Sequence, residues 1–229
     1  MSGAKPAIAA ILFAREPRSG CVKTRLASAI GDDAACRLYE AFLADCLAGV
    51  EALGLRTWLA LTPESSLAAM GRLHPEADVF HQIGDDLGQR MAAALARAFV
   101  SRHAGAVIFG SDSPMVPLAE RARVVRGLAD APVVLAPDDG GGFYAIAARS
   151  GVDLSFLADL SWGHDKVLAQ VGERLARCGV PHLETRPWPD VDDEDDLKRL
   201  LRDLGGVATP EAIAAAPRTM GAVAELGLA

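Results

Sequence analysis

Hydrophobic positions along the chain alternate between short apolar runs and stripes with helical spacing. The run from Ala7 to Ala14 predicts a first strand. Ala35, Leu38, Tyr39, Phe42, Leu43, Cys46, Leu47 and Val50 then follow helical spacing, from Asp32 and Asp33 as cap candidates to about Gly54. Thr57 to Leu61 and Asp78 to His81 predict short strands, and Asp86 is placed to cap a helix whose Leu87, Met91, Leu95 and Ala98 share a face. The continuous apolar run from Ala106 to Gly110, bounded by turn residues, predicts a central strand covered on both faces. Pro117 can open a helix to about Leu128, and Pro132 to Ala136 and Phe143 to Ala148 predict strands around a Gly140, Gly141, Gly142 turn. Asp165 to Arg177 predicts a helix, Val180 to Glu184 a strand, and Leu197, Leu200, Leu201 and Leu204 a further helix ended by Gly205 and Gly206.

Strands alternating with helices predict an α/β sandwich on a mostly parallel sheet, with antiparallel strands possible after residue 130. At 229 residues the chain suits one domain, because single cores grow to roughly 250 residues before chains divide. The Ala-rich stretch from Val207 to Ala229, with Thr209 and Pro210 fit to start a helix, is expected to pack peripherally.

Charge adds partners to exclude. The formal net charge is −7, which disfavours nucleic acid and anionic membranes as partners and requires a local basic pocket for any small anionic substrate. Cys21, Cys36, Cys46 and Cys178 lie apart, with no C-x-x-C and no His at ligand spacing, so the expectation is reduced thiols in a cytoplasmic protein without zinc or disulfides. The first apolar run follows Lys5 as a signal peptide would, but Arg15 and Glu16 come at once and no small-residue cleavage pattern succeeds it. No apolar run approaches the roughly 20 residues of a membrane-spanning helix.

In open α/β sheets ligands sit beyond the carboxyl ends of the strands, so the residues after each strand are the ones to weigh. Arg15, Arg18, Lys23 and Arg25 put four cations into the loop after strand one, beside Ala14 and Gly20. This loop suits phosphate, through forked Arg contacts and backbone donors, and equally suits a solvated basic turn. It is not a P-loop, because Val22 stands where that motif needs its second Gly. Gly110-Ser111-Asp112-Ser113-Pro114 follows the central strand. There Asp112 can supply one carboxylate to Mg2+ or Mn2+, or cap the next helix. Between Asp190 and Asp196 six of seven residues are acidic. Helix-dipole stabilisation, about 0.3–1 kcal/mol each, explains Glu194, Asp195 and Asp196, whereas Asp190 and Asp192 call for a cation nearby, with Asp192 the candidate second metal carboxylate. Asp138-Asp139-Gly140-Gly141-Gly142 offers Asp139 as a base or sugar ligand, or is a bare tight turn. His164, after Trp162 and Gly163, is a further titratable candidate.

Together these segments resemble a bacterial family in the nucleotide-diphospho-sugar transferase superfamily of GT-A type, long filed as a domain of unknown function and often labelled glycosyltransferase. The resemblance is carried by Pro17 to Leu26 with its Lys-Thr-Arg-Leu, Gln82 to Arg90, Gly110 to Pro114, Gly141 to Tyr144, Trp162-Gly163 and Asp190 to Leu197, in order over residues 7–204. It implies a Rossmann-like, three-layer α/β/α domain over residues 1–204, followed by the tail at 205–229. By the same resemblance Asp112 and Asp192 hold the metal, the loop from Ala14 to Arg25 cradles phosphates next to Gly110 and Ser111, and Gln82 lies near the base or sugar. The family usually shows Asp-Gly-Gly-Tyr where this chain has Gly140-Gly141-Gly142-Phe143, which moves the Asp one place to Asp139, and it tends to have Gly in place of Asp85. The implied activity is glycosyl transfer from a nucleotide sugar to a small-molecule acceptor, with Lys23 or Arg25 opposite the departing diphosphate and Asp139 or His164 as base. Nucleotidyl transfer from an NTP to a phosphorylated small molecule, as in the molybdenum-cofactor and phospholactate nucleotidyltransferases of this superfamily, is the alternative. A nucleotide-binding module without turnover is a third class. Nucleotide, acceptor, stereochemical outcome and oligomeric state are not specified by these residues.

Overall fold

A computed structural model describes residues 8–228; Lys5 and Ala7 of the first run, and Ala229 of the tail, lie outside the described residues. The sheet has seven strands: β1 (Ile8–Ala14), β2 (Arg56–Leu61), β3 (Asp78–His81), β4 (Gly105–Gly110), β5 (Val133–Pro137), β6 (Phe143–Arg149) and β7 (His182–Glu184). Their order is β3-β2-β1-β4-β6-β5-β7. All pairings are parallel except those of β6, which runs antiparallel to both β4 and β5. The antiparallel strand falls where the sequence allowed one, after residue 130.

Alternation along the strands builds a core on each face. Ala10, Leu12 and Ala14 of β1, with Val107 and Phe109 of β4, point to the face covered by helices α1 (Thr24–Ile30), α2 (Asp32–Glu51), α5 (Leu118–Gly127) and α7 (Glu194–Arg202). Met70 of the short helix α3 (Leu67–Leu73) joins the same cluster. Ala9, Ile11 and Phe13, with Ala106 and Ile108, point to the face covered by α4 (Leu87–Val100) and α6 (Val167–Arg177). This is the α/β sandwich on a mostly parallel sheet that the pattern predicted, in the three-layer α/β/α form that the resemblance implied. Asp86 caps α4 as expected, its side chain accepting from the Gln89 amide. Asp32 and Asp33 instead lie inside the first turn of α2, with Gly31 as the cap residue, so they act on the helix dipole and not as caps.

The C-terminal segment is more deeply engaged than a peripheral tail. After a turn at Asp203–Val207, helices α8 (Pro210–Ala214) and α9 (Pro217–Glu225) return to α2, and Ala212, Ala216, Thr219 and Val223 are buried. Asp45 of α2, 1% exposed, accepts from the Arg218 amide (3.1 Å), the Thr219 amide (2.7 Å) and the Thr219 hydroxyl (2.8 Å). A carboxylate from one helix thus satisfies the orphan donors at the start of another.

The chain order β1, β2, β3 runs outward from the centre, and β4 then returns to the other side of β1. That reversal opens a crevice beyond the carboxyl ends of β1 and β4. Because β6 is antiparallel, its first residues, Phe143 and Tyr144, arrive at the same end. Gly141 (φ +84°) lies in the hairpin turn between β5 and β6, so close to the Asp165 backbone that a Cβ there would collide with it. Its glycine is explained by packing against the start of α6.

Candidate functional site

A cavity of about 560 Å³ occupies the crevice, lined by the residues that follow β1 and β4, by Gln82 after β3, by the first turns of α4 and by the start of β6. Of the sequence candidates, Ala14, Arg15, Lys23, Arg25, Gln82, Gly110, Ser111, Asp112 and Asp192 line it. Gly20 does not: it is exposed and supplies the positive φ (+74°) of the turn closed by the Cys21 amide on the Arg18 carbonyl. Asp139 and His164 do not either. Asp139 is exposed, and its neighbour Asp138 is the carboxylate that structures the glycine turn, accepting from the Gly140 and Gly142 amides. His164 accepts from the Lys166 amide through Nδ1, a local turn contact just before α6.

The centre of the site is a lysine between two carboxylates. Lys23 Nζ is paired with Asp112 Oδ1 and, at 2.7 Å, with Asp192 Oδ1. Its side chain is only 5% exposed, against 45% for Asp112 and 43% for Asp192. Burial by itself would lower the Lys23 pKa, but attraction to Asp112 and Asp192 and the hydrogen bonds to both outweigh it and raise the pKa above the ordinary lysine range. The ammonium is therefore charged throughout the working pH range. Lys23 reaches this place from a left-handed backbone (φ 48°, ψ 43°) at the residue preceding α1, a conformation that costs a non-glycine residue about 1 kcal/mol and is offset here by the two ion pairs.

Two carboxylates 80 residues apart in sequence meet because the Val191 amide donates to the Asp112 carbonyl (3.0 Å), which ties the acidic loop to the turn after β4. Asp193 caps α7 in a reciprocal box with Asp196 and also pairs with Arg25 at 2.5 Å. The cap thus consumes Asp193 and Asp196 and leaves Asp190 and Asp192 free for other work. Asp112 performs no capping: α5 begins behind Pro117 without a side-chain cap. Asp190 is half-buried, and burial, followed by the nearby Asp192, Asp138 and Asp196, pushes its pKa up to about 7. Negative charge in this loop therefore exceeds what Lys23 neutralises. Among the described residues no three His, Cys, Asp or Glu side chains converge as a ready metal cage.

Two residues that pattern alone assigned to helices also build the site. Tyr39, on the apolar stripe of α2, accepts from the Arg15 amide (3.0 Å) and shares a hydrogen bond with the Ser111 hydroxyl (3.0 Å), joining the loops after β1 and β4. Burial, and secondarily Asp112, pushes its pKa up to about 12, so the phenol stays neutral. Arg121 of α5 is 1% exposed. It donates to the Ser113 carbonyl (3.2 Å) and the Val116 carbonyl (3.3 Å), beneath the turn that carries Asp112. Space for it exists because Gly49 has no side chain; a Cβ there would lie 2.7 Å from the guanidinium. A buried tyrosine needs a partner for its hydroxyl and a buried arginine needs acceptors, so both residue types within helical stripes were the available signals.

Arg15 and Arg90 bring further positive charge to the wall, and Arg15 makes no ion pair among the described residues. Gln82 is buried, its amide nitrogen donating to the Ala60 carbonyl (3.0 Å). Phe13, Leu87, Met91, Ile108 and Phe143 give the opposite wall an apolar surface. The cavity therefore combines charged and apolar lining.

The profile of the family described as an uncharacterized protein conserved in bacteria (DUF2064) matches residues 46–164, about half the chain and including the turn with Asp112. The chain belongs to this family. Over 96% of its length it superposes on 95% of a candidate nucleotide-diphospho-sugar transferase from Desulfovibrio desulfuricans G20, with a TM-score of 0.88 and 27% identity. More distant structures share the fold. One is a CMP:2-keto-3-deoxy-manno-octonic acid synthetase complexed with CTP (TM-score 0.52, 15% identity, 87% of this chain and 99% of that one). Another is Rv0371c from Mycobacterium tuberculosis H37Rv in complex with manganese (TM-score 0.54, 21% identity, 87% and 100%). No curated protein matches the sequence. The fold is thus that of nucleotide-diphospho-sugar transferases and nucleotidyltransferases. Among the described residues no helix is long and apolar enough to cross a membrane.

Proposed function

We propose that the DUF2064 chain is a metal-dependent nucleotide-diphospho-sugar transferase that moves a glycosyl group to a small acceptor. The observation that carries this reading is the pairing of one buried cation with Asp112 and Asp192 at the end of a cavity whose wall adds Arg15, Arg25 and Arg90. The donor chemistry fits Mg2+ or Mn2+, hard ions that take one or two carboxylates and complete their shell with phosphate oxygens and water. The Lys23 ammonium, held by both carboxylates, is itself a stand-in cation at that place. A bound divalent ion would supply electrostatic stabilisation to the departing diphosphate.

The residues of the chain then divide the work. Arg15 and Arg90 face the phosphates, and Lys23 and Arg25 neutralise the charge that develops as the bond from the anomeric carbon to the diphosphate oxygen breaks. The apolar wall of Phe13, Met91 and Phe143 excludes water from the reacting carbon, and Gln82 offers an amide to base or sugar.

One observation favours a second reading, nucleotidyl transfer. The carboxylates lining the cavity are Asp112 and Asp192, both bound to Lys23, while Asp139 and His164 lie off its wall. An acceptor hydroxyl wants a base, whereas a phosphate acceptor attacking an α-phosphorus needs little help from one. Calorimetry with a panel of NDP-sugars and NTPs, with and without Mn2+, on wild type and Asp112→Asn separates the two. Metal-dependent NDP-sugar binding lost in the variant is the result expected for glycosyl transfer. Selective NTP binding with pyrophosphate release would replace it with nucleotidyl transfer. Tight binding with no turnover of any donor and acceptor pair would leave a sensing module, and absence of any metal-dependent nucleotide binding would remove the premise.

A further inference from the structure

We infer that Lys23 is the resident counter-ion of the Asp112 and Asp192 pair, and that a divalent ion enters this site by exchange with the lysine, when a diphosphate arrives to receive its ammonium group. The inference rests on the reading that these two carboxylates hold the metal.

Lys23 already holds one oxygen of each carboxylate that a divalent ion would need. Lys23 Nζ contacts one oxygen of each carboxylate, and the contact to Asp192 is 2.7 Å. A divalent ion taking these same oxygens would have to displace the ammonium from them. The lysine side chain is almost wholly buried, whereas each aspartate is nearly half exposed, so the ammonium approaches the pair from the protein interior. Charge reinforces this competition: an ammonium and a divalent ion within a few ångströms repel strongly in a partly desolvated site.

The lysine has little else to go to in the free protein. Its remaining close neighbours are the rings of Tyr39 and Phe42, with centroids 6.0 and 5.9 Å from the nitrogen. These cannot replace two carboxylates. A diphosphate in the cavity would change that, because it offers the ammonium a new anion within reach of the same short loop. Metal and diphosphate then bind with positive coupling, each weakly alone and strongly together, and by linkage the coupling is reciprocal. The device keeps a counter-charge on the two carboxylates between turnovers and confines the metal-loaded state to molecules that already hold a phosphate group.

The test uses Mn2+ and inorganic pyrophosphate as probes, with free Mn2+ read by electron paramagnetic resonance. Wild type is expected to bind Mn2+ weakly alone and at least tenfold more tightly in the presence of pyrophosphate, after correction for the Mn2+–pyrophosphate complex in solution. Lys23→Met is expected to bind Mn2+ alone at least tenfold more tightly than wild type and to lose most of the pyrophosphate enhancement. Equal or weaker Mn2+ binding by Lys23→Met overturns the exchange, and if Asp112→Asn still abolishes binding the metal reading survives. If Mn2+ binding is indifferent to Asp112→Asn, both fall together. Wild type supplies a check that needs no folded variant: the acylation rate of Lys23, mapped by mass spectrometry against exposed Lys166, should rise on adding millimolar Mn2+ without pyrophosphate. An unchanged rate while Mn2+ is bound would overturn the exchange.

Discussion

Replacing Tyr39 by Phe removes one oxygen atom from a point where two loops meet. The ring is 3% exposed and is retained, so no cavity forms and packing on α2 is preserved. What is lost is the acceptor for the Arg15 amide at 3.0 Å and the hydrogen bond to the Ser111 hydroxyl at 3.0 Å. The Arg15 amide is only part-buried, so the loss of its partner and of the hydroxyl bond costs about 1 kcal/mol each. Part of this is returned because the phenol no longer has to be desolvated, so the expected loss is roughly 1–2 kcal/mol. In a chain of this length each kcal/mol shifts the melting point by about 2–4 °C, giving a fall of roughly 2–8 °C. Urea unfolding should show a lower midpoint at unchanged slope, since the surface exposed on unfolding barely changes. Nucleotide binding should weaken as well, because the loop carrying Arg15 and Lys23 is no longer tied to Ser111, the neighbour of Asp112. A stability change below about 0.5 kcal/mol would refute the claim that this hydroxyl holds the two loops together.

Arg121→Met should cost about 2 kcal/mol by stranding the Ser113 and Val116 carbonyls. It should also weaken Mn2+-dependent nucleotide binding; stability lost with binding intact would show that Arg121 does not position Asp112. Asp45→Ala strips α9 of the acceptor for four donors, two on Arg218 and two on Thr219, and should lower stability by about 3 kcal/mol in urea, with nucleotide affinity unchanged. Gly141→Ala and Gly163→Ala both place a side chain at positive φ, but only the first meets backbone, that of Asp165. Calorimetric melting should therefore show about 1 kcal/mol lost at Gly163 and about 3 kcal/mol at Gly141. Equal losses would mean that the turn can yield.

The layered α/β fold was legible because burial on two faces writes continuous apolar strands and burial on one face writes helical stripes, as in β4 and α2. Helix α3, with one buried residue in seven, carried too little pattern to be read. Asp86 could be recognised as a cap because capping is local, acting within three residues. The basic loop and the surplus acids near Asp192 were visible as composition, and with them the charges that the cavity brings together.

Sequence left open how those charges are distributed, because pairing depends on contacts between distant segments. The Val191 to Asp112 backbone bond places Lys23 between two aspartates that the sequence treats as separate motifs. Residues within the glycine turn showed the same limit. Asp139 and Asp138 are indistinguishable as neighbours in a string, yet the turn folds Asp138 onto the Gly140 and Gly142 amides and leaves Asp139 in solvent. The tail likewise read as peripheral, since its partner Asp45 lies more than 170 residues earlier. What the sequence determined by itself was therefore the set of local periods and charges. Tertiary structure decided which of those charges neutralise one another, because the energy of a buried ion depends on neighbours that only folding brings within a few ångströms.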